Sequence, residues 1–585
     1  FVPRRRVLVE VFLADRCRTA EMCPAGATCG RTACEREDGA PVLDFTPLPE
    51  RRPPPGDPSV VAPRPLAPLS TAMVTSQRPT LRWSLVSGTD GARVQVCRDR
   101  ACAMSERVFA VSGDRATLSG ALAAGVHYWR LYGRRGAVTG LTPGPVWEFF
   151  VGERSATAST SSGGVPDFNG DGFADLVLGA ANVGRTGGVQ VYAGSSRGLP
   201  PAPSALLALP DGLGEGASPN VANAGDVNGD GFADLAVAAQ GISSRAGLCN
   251  VFLGSPTGLA NPAAFTLTSP VGLEGGFGGA VVGADDTNGD GFADFAVAAP
   301  GNSTTLGRVF LYLGSAQGPA LAPTPLTTSE SNSAVRSALA SAGDLNGDGF
   351  GDLVVGAPYV GFDVGSAYVF LGGARGLTMG AVLNHPGGAR GIFGSALGSG
   401  DFNGDGLTDL VVGAPFADDS RGRAYVYLGR QGAAPNTPAQ SLSRPDSDRT
   451  HFGHSVAGVG DVNRDGYEDL IVGNPDDALV AMPAPDEYTG EAHFYLGGAG
   501  AEPVRLTVSI TGPETGRGFG WVVRGVGDLN GDLHADVAVT AFNLGNPDGQ
   551  VYLFRGRTLG LPVAPDQSLR GGRLSFFGNS IAGIR

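Results

Sequence analysis

The sequence predicts an all-β protein whose larger, C-terminal part is seven copies of one unit of about four strands. Three observations carry this. Glycine (93) and proline (42) are abundant among 585 residues while only 17% are charged, a composition of short strands and tight turns rather than helices. One acidic nonapeptide recurs seven times, starting at Asp167, Asp226, Asp286, Asp344, Asp401, Asp461 and Asp528, with separations of 59, 60, 58, 57, 60 and 67 residues. Copies run into apolar stretches such as DLVVGAP at 409–415, and then into alternating ones such as RVFLYL at 308–313, both of which read as strands.

Ahead of the repeats the chain changes character four times. Cys17, Cys23, Cys29 and Cys34 crowd into residues 1–38, a density that in a segment without its own core means two disulfides and an oxidising compartment. Zinc is the competing reading, opposed by the spacings and the absence of Cys-x-x-Cys. Residues 39–66, with Pro53-Pro54-Pro55, read as an extended, semi-rigid stalk. Residues 67–152 carry short strands at 80–85, 92–97, 107–112, 126–132 and 146–151 with Trp83, Trp129 and Trp147, the pattern of a β-sandwich. Cys97 and Cys102 within it leave two readings, a small disulfide loop or two free thiols. Residues 153–164 form a Ser/Thr/Gly linker, and 165–585 hold the repeats.

The net charge of −14, from 42 basic and 56 acidic residues without clustered positive charge, excludes a general nucleic-acid binder. No stretch approaches the ~18 apolar residues of a membrane span. The chain opens at Phe1, and Arg4-Arg5-Arg6 leads into a short apolar run interrupted by Glu10, a poor signal peptide. The expectation is an exported chain, extracellular or at the cell surface, whose leader has been removed.

The nonapeptide has a chemistry of its own. A hard cation such as Ca²⁺ takes six to eight oxygens, and a tight loop with glycine at its turn aims side chains 1, 3, 5 and 9 and carbonyl 7 at one point. The first loop offers Asp167, Asn169, Asp171, Phe173 (carbonyl) and Asp175, and the second Asp226, Asn228, Asp230, Phe232 and Asp234. The third offers Asp286, Asn288, Asp290, Phe292 and Asp294, and the fourth Asp344, Asn346, Asp348, Phe350 and Asp352. The fifth offers Asp401, Asn403, Asp405, Leu407 and Asp409, and the sixth Asp461, Asn463, Asp465, Tyr467 and Asp469. The seventh offers Asp528, Asn530, Asp532, His534 and Asp536. Three carboxylates so close repel one another without a cation, so up to seven Ca²⁺ ions are expected. An EF-hand is excluded, because position 12 is Leu178, Val237, Val297, Val355, Val412, Val472 and Val539 where that motif needs glutamate.

A second element precedes most loops: Phe277-Gly278, Phe452-Gly453 and Phe519-Gly520 lie nine residues upstream, and Phe393-Gly394 eight. This order of Phe-Gly, acidic loop and Gly-Ala-Pro resembles the FG-GAP repeat of integrin α-subunits and of bacterial surface proteins. The resemblance implies a seven-bladed β-propeller with Ca²⁺ in a strand-to-strand loop of each blade. It implies an adhesion or ligand-binding role, with a protein or glycan ligand on the face opposite the calcium loops, at connections such as 416–422, 474–490 and 542–549. Residues 67–152 resemble a fibronectin type III domain, a spacer that would hold the binding head away from the cell. Integrin α-subunits carry calcium loops in only some blades and many add an inserted domain. Loops in all seven repeats and no insertion argue against an integrin-type β-subunit partner. A secreted enzyme acting on polysaccharide or lipid, or its accessory module, is the alternative reading, and a structural surface-layer component a second.

Departures from the pattern mark weak points. Ala217-Ser218 and Val335-Arg336 stand where Phe-Gly is expected, Arg464 replaces the fourth-position glycine, and Leu533 replaces the turn glycine of the seventh loop. The first repeat lacks a leading Phe-Gly, whereas residues 577–585 supply one with no loop after it. That segment is therefore expected to pair beside the first loop and close the ring. No catalytic set is expected. Gly194-Ser195-Ser196-Arg197-Gly198 matches a nucleophile elbow but recurs in form at Gly254 and Gly314, as a repeated turn. The pairs Asp418-Asp419 and Asp476-Asp477 read as solvated turns, His451 and His454 as structural, Trp521 as core, and Cys249 as a buried free thiol.

Overall fold

The computed structural model describes residues 27–29, 34–36, 56–180, 187–209, 219–241, 246–272, 276–301, 307–326, 338–444, 450–475, 489–514, 518–543, 546–571 and 576–584. The chain divides into two units, Phe1–Gly56 and Asp57–Arg585. In the first, Ala27–Cys29 pairs with Cys34–Arg36 and sets Cys29 opposite Cys34. Cys17 and Cys23, and with them the two-disulfide expectation, lie outside the described residues, as do 217–218, 335–336 and 476–477.

The second unit begins with a module of two sheets. Arg64–Ala67, Thr80–Ser84 and Arg115–Thr117 make a three-stranded sheet. The larger sheet runs in the order Ser161–Gly164, Ala72–Val74, Trp147–Val151, Gly125–Arg135, Gly91–Cys97 and Ser105–Ser112, with Val138–Pro143 paired to Gly125–Arg135. Trp83, Trp129 and Trp147 are fully buried together with Leu81, Val94 and Leu131. Cys97 and Cys102 form a disulfide. Two expected boundaries move. Arg64–Ala67 starts the module inside the Pro-rich stretch, and Ser161–Gly164, read as linker from its small polar residues, is an edge strand on Ala72–Val74. Serine and glycine give no apolar alternation, so sequence pattern cannot mark such a strand.

Seven four-stranded antiparallel sheets follow among the described residues. The sixth is typical, with Ser455–Gly460, Asp469–Asn474, Glu491–Gly497 and Val504–Thr511 in sequence order. In six sheets the strand that follows the acidic loop is buried at every residue, as in Asp352–Ala357 and Asp409–Ala414. Neighbouring sheets cover both of its faces, which is why these strands read as continuous apolar runs rather than alternations. The first strands touch in cyclic order from sheet to sheet and return to the first. The only α-helices among the described residues are the four-residue turns Val360–Asp363 and Ala417–Ser420. No helix among them is long and apolar enough to cross a membrane.

The Phe-Gly and Gly-Ala-Pro elements lock adjacent sheets together. Phe277, Phe393, Phe452, Phe519 and Phe577 are all fully buried. Phe393 meets Tyr425 and Tyr427 edge-on at 5.8 and 6.5 Å. The glycine after it, Gly394, has φ +85°, and its carbonyl lies so close to Gly356 of the preceding sheet that a Cβ there would sit 2.0 Å away. Gly413 under Gly453 and Gly473 under Gly520 repeat the contact at 2.1 Å each. A methyl group on either strand end would force the sheets apart.

The same lock closes the ring. Ile581–Ala582 pairs with Leu176–Ala180, Val177 opposite Ala582 and Leu178 opposite Ile581, completing the first sheet. The Gly578 N–H donates to the Gly179 carbonyl at 2.9 Å, as Gly453 does to Gly473 at 3.1 Å. Phe577→Ala should therefore cost about 3–5 kcal/mol, the range for truncating a buried phenylalanine. Deletion of 576–585 should lower the unfolding midpoint of the whole Asp57–Arg585 unit in calorimetry; an unchanged midpoint would show the pairing to be dispensable.

Candidate metal centres

Each acidic loop is wound around its own first aspartate. In the first loop Asp167 Oδ1 accepts the N–H of Gly170 at 2.6 Å and Oδ2 that of Gly172 at 2.7 Å. Asn169 Oδ1 accepts from Asp171 N at 2.8 Å, and Asp171 Oδ1 from Phe173 N at 3.0 Å. The ninth residue ties the loop to its sheet: Asp175 Oδ2 accepts from Phe168 N and Oδ1 from Gly194 N, both at 3.0 Å. The other loops repeat this scheme, with Asp234, Asp294, Asp352, Asp409, Asp469 and Asp536 each accepting the glycine N–H of the turn after the third strand. At the sixth position, glycines such as Gly172 (φ +88°) and Gly291 (φ +80°) take a left-handed conformation. Leu533 takes it too, at φ 68°, and Arg464 has φ 62° at position four.

The loops are also joined to one another, which the sequence did not announce. The carbonyl of each first aspartate accepts the N–H of the eighth residue of the next loop, at 2.8–3.3 Å across all seven junctions, Ala174 N to Asp528 O closing the circle. The side chain at position seven rests on the fourth-position glycine of the preceding loop. A Cβ on Gly170 would come within 2.7 Å of the Phe232 ring, on Gly289 within 2.6 Å of Phe350, and on Gly531 within 2.5 Å of Phe173. The recurrent aromatic at position seven was the available signal.

Burial raises the carboxyl pKa values. Asp167, Asp286, Asp401 and Asp461 are pushed up to about 6 and Asp226 to about 7, by desolvation first and by the fifth-position carboxylate in addition. Asp352 and Asp536 rise to about 8, and Asp175, Asp234, Asp294, Asp409 and Asp469 stand well above the carboxylate range, again because they are buried. Among the described residues no three His, Cys, Asp or Glu side chains form a metal cluster by themselves. The donor set of each loop is instead mixed, three carboxylates with an amide oxygen and a backbone carbonyl, and a carboxylate with about four lone-pair sites keeps capacity beyond its N–H bonds. An all-oxygen, multiply anionic and buried set fits a hard divalent cation and no soft metal.

The module sits on this loop side. Arg100 donates to the Gly231 carbonyl at 2.5 Å, with its guanidinium 3.7 Å from the Phe232 ring centre. Arg64 bonds the Asp290 and Gly291 carbonyls and lies 4.1 Å over Phe292, and Arg154 lies 4.4 Å over Tyr467. Thr157 and Thr160 donate to the Asp405 and Gly406 carbonyls, Ser70 to Gly231, and Arg464 pairs with Glu153. The position-seven rings and loop carbonyls thus bind the module's arginines directly.

The remaining candidates resolve into structure. Ser195, Ser255 and Ser315 donate to Gly198, Gly258 and Gly318 carbonyls at 2.6–2.8 Å, which spends the proton a nucleophile would need to hand to a base. His127, His385 and His493 are buried in separate packing contacts, and His534 Nδ1 is 2.8 Å from the Val462 carbonyl. His451 packs against Phe416 at 4.7 Å and His454 against Trp521 at 4.8 Å. Asp418 pairs with Arg423, and Cys249 is a buried free thiol.

Four-stranded sheets in cyclic contact, each entered through an acidic loop, define a class of all-β repeat proteins. Part of the repeat region matches known repeat families: the FG-GAP repeat model matches residues 393–427 and 452–495, and the FG-GAP-like repeat model 167–237 and 260–355. The chain is similar to integrin alpha-4 of Xenopus laevis, 32% identical over 198 residues that cover 33% of this chain and 18% of that one. It is likewise similar to integrin alpha-V of Gallus gallus, 36% identical over 205 residues covering 32% and 19%. The matches thus span less than a fifth of those relatives. A solved protein of Lactobacillus plantarum aligns over 70% of this chain and 99% of its own, at 13% identity and a TM-score of 0.41.

The raised carboxyl values set a pH dependence. Without metal, folded aspartates hold protons that unfolded ones, titrating near 3.9, have released. The folded state binds more protons between about pH 4 and 8, so stability is full at the acid end and falls as pH rises through 6 to 8. In EDTA the unfolding midpoint should rise on acidification from pH 8 to 5; with saturating Ca²⁺, which favours the ionised form, it should fall. Parallel slopes would contradict this. Leu533→Gly should stabilise by about 0.5–1 kcal/mol, relief of left-handed strain of ~1–2 kcal/mol less the entropy cost of glycine of ~0.5–1 kcal/mol, measured by denaturant midpoint.

Proposed function

We propose that residues 165–585 are a seven-bladed FG-GAP β-propeller of the bacterial surface or secreted type. It binds up to seven Ca²⁺ through the oxygens named for each loop and serves, outside the cell, as a binding head for a protein or glycan. The module before it is of the fibronectin type III kind. The role is binding rather than catalysis. The observation that carries this reading is the ring of seven linked acidic loops whose side is already taken by the module's arginines. Ligand contact then falls to the opposite side, where Phe-Gly strands begin and Gly-Ala-Pro strands end. There Trp521, half-buried, stands 4.8 Å from His454 and 6.0 Å from Phe542, a surface for apolar side chains or sugar faces.

Calcium modules outside cells bind in the range of about 10⁻⁴–10⁻³ M, and that is the affinity expected here. The full chain, applied to protein and glycan arrays in millimolar Ca²⁺, should bind a defined set of spots and lose them in EDTA. Turnover of polysaccharide or phospholipid with no array binding would replace this reading by the enzymatic one.

A further inference from the structure

The first loop differs from the other six in what the module brings to it. Glu148, in the strand Trp147–Val151, is fully buried. Its Oε2 accepts from Arg100 at 2.9 Å, its carboxyl also meets that of Asp167, and its Oε1 has no hydrogen-bond partner. Thr71 bridges the two by backbone bonds: its N–H donates to the Glu148 carbonyl and its own carbonyl accepts from Val165, whose carbonyl accepts from Asp167. Thr71 is itself fully buried, its Oγ1 likewise lacks a partner, and its φ of 68° is an outlier for a β-branched residue.

A buried carboxylate oxygen without a partner is costly, and strain beside it marks a place held for a purpose. The charges make the purpose specific. Three loop carboxylates with one divalent ion leave a net charge of one minus, as in every other loop. Glu148 adds a negative charge and Arg100 adds a positive one, so the module brings a fourth carboxylate without altering that balance. The coordination arithmetic agrees: a loop supplies five oxygens, and a sixth reaches the lower limit of what Ca²⁺ takes.

We propose that Glu148 Oε1 is a ligand to the Ca²⁺ of the first loop, completing from the module the set Asp167, Asn169, Asp171, Phe173 carbonyl and Asp175. The ion thereby fastens the module to the repeats. This rests on the calcium reading above and adds one residue to one site.

The test is calorimetric titration of Ca²⁺ into the full chain, its Glu148→Gln variant and its Arg100→Met variant. Glu148→Gln should weaken one site at least about tenfold, in line with the loss of a group that holds a metal site together, and leave the remaining sites unchanged. Arg100→Met removes a like charge from the ion and should leave that site as tight or tighter. Sensitised terbium(III) emission through Tyr128, whose hydroxyl would be 3.1 Å from a Cβ on Gly172 of this loop, should drop in Glu148→Gln. Unchanged affinities in Glu148→Gln, or equal weakening in both variants, overturn the proposal while the calcium reading stands. A wild-type chain that takes up no Ca²⁺ overturns both. If Glu148→Gln does not fold, Glu148→Asp, which keeps the charge and withdraws the oxygen by one methylene, should show the same single weakened site.

Discussion

The bond from the first aspartate's carbonyl to the eighth residue of the next loop is the constraint on which the rest of the architecture depends. It is a backbone bond, so it is indifferent to the side chains at its ends, which are Ala, Gly, Thr and Glu at position eight. It nevertheless holds each loop to its neighbour at a donor–acceptor distance of 2.8–3.3 Å. With that spacing set, the position-seven side chain has one place to go, onto the glycine of the loop before. A second bond, from the turn after the third strand to the second residue of the preceding loop, as in Ser255 N to Phe168 O at 3.1 Å, removes the remaining freedom. Loop, turn and sheet are thus tied to one another by backbone bonds all the way around the ring.

On the other side of the sheets, glycine does what hydrogen bonds do on the loop side. Phe-Gly and Gly-Ala-Pro are one device split between neighbours, an aromatic plug and two backbones in contact. Where the pairing of Gly356 with the Gly394 carbonyl brings the chains within reach of a missing Cβ, the spacing between sheets is set by the width of a peptide and not by side-chain packing. Gly356, Gly413 and Gly473 are needed for absence of volume, while their partners Gly394, Gly453 and Gly520 also take a left-handed φ of +85°, +86° and +91°.

Much of this could be read from residues alone. The seven loops, the strands on both sides of them and the return of the chain to the first sheet follow from periodicity and from one unmatched Phe-Gly at 577–578. The positive φ of Leu533 and Arg464 follows from the glycines they replace. What could not be read is whatever depends on contacts between distant segments. Ser161–Gly164 carries no apolar alternation, so its place in a sheet is decided by Ala72–Val74 and not by itself. Arg64, Arg100 and Arg154 are ordinary surface residues in sequence; their rings and carbonyls lie hundreds of residues away or in a different sheet. Glu148 is one acidic residue in an apolar strand, and only its burial beside Asp167 distinguishes it.

The first sheet is made of two pieces, Leu176–Ala180 with its hairpin partners and Ile581–Ala582. A ribosome adding ~5–20 residues per second takes on the order of a minute to travel from one piece to the other. Throughout that interval six sheets can form, yet the inner edge of the first has no partner and the circle cannot shut. Until residues 581–582 have been made the repeats remain an open arc, and the step that commits them to a ring is the arrival of that short strand.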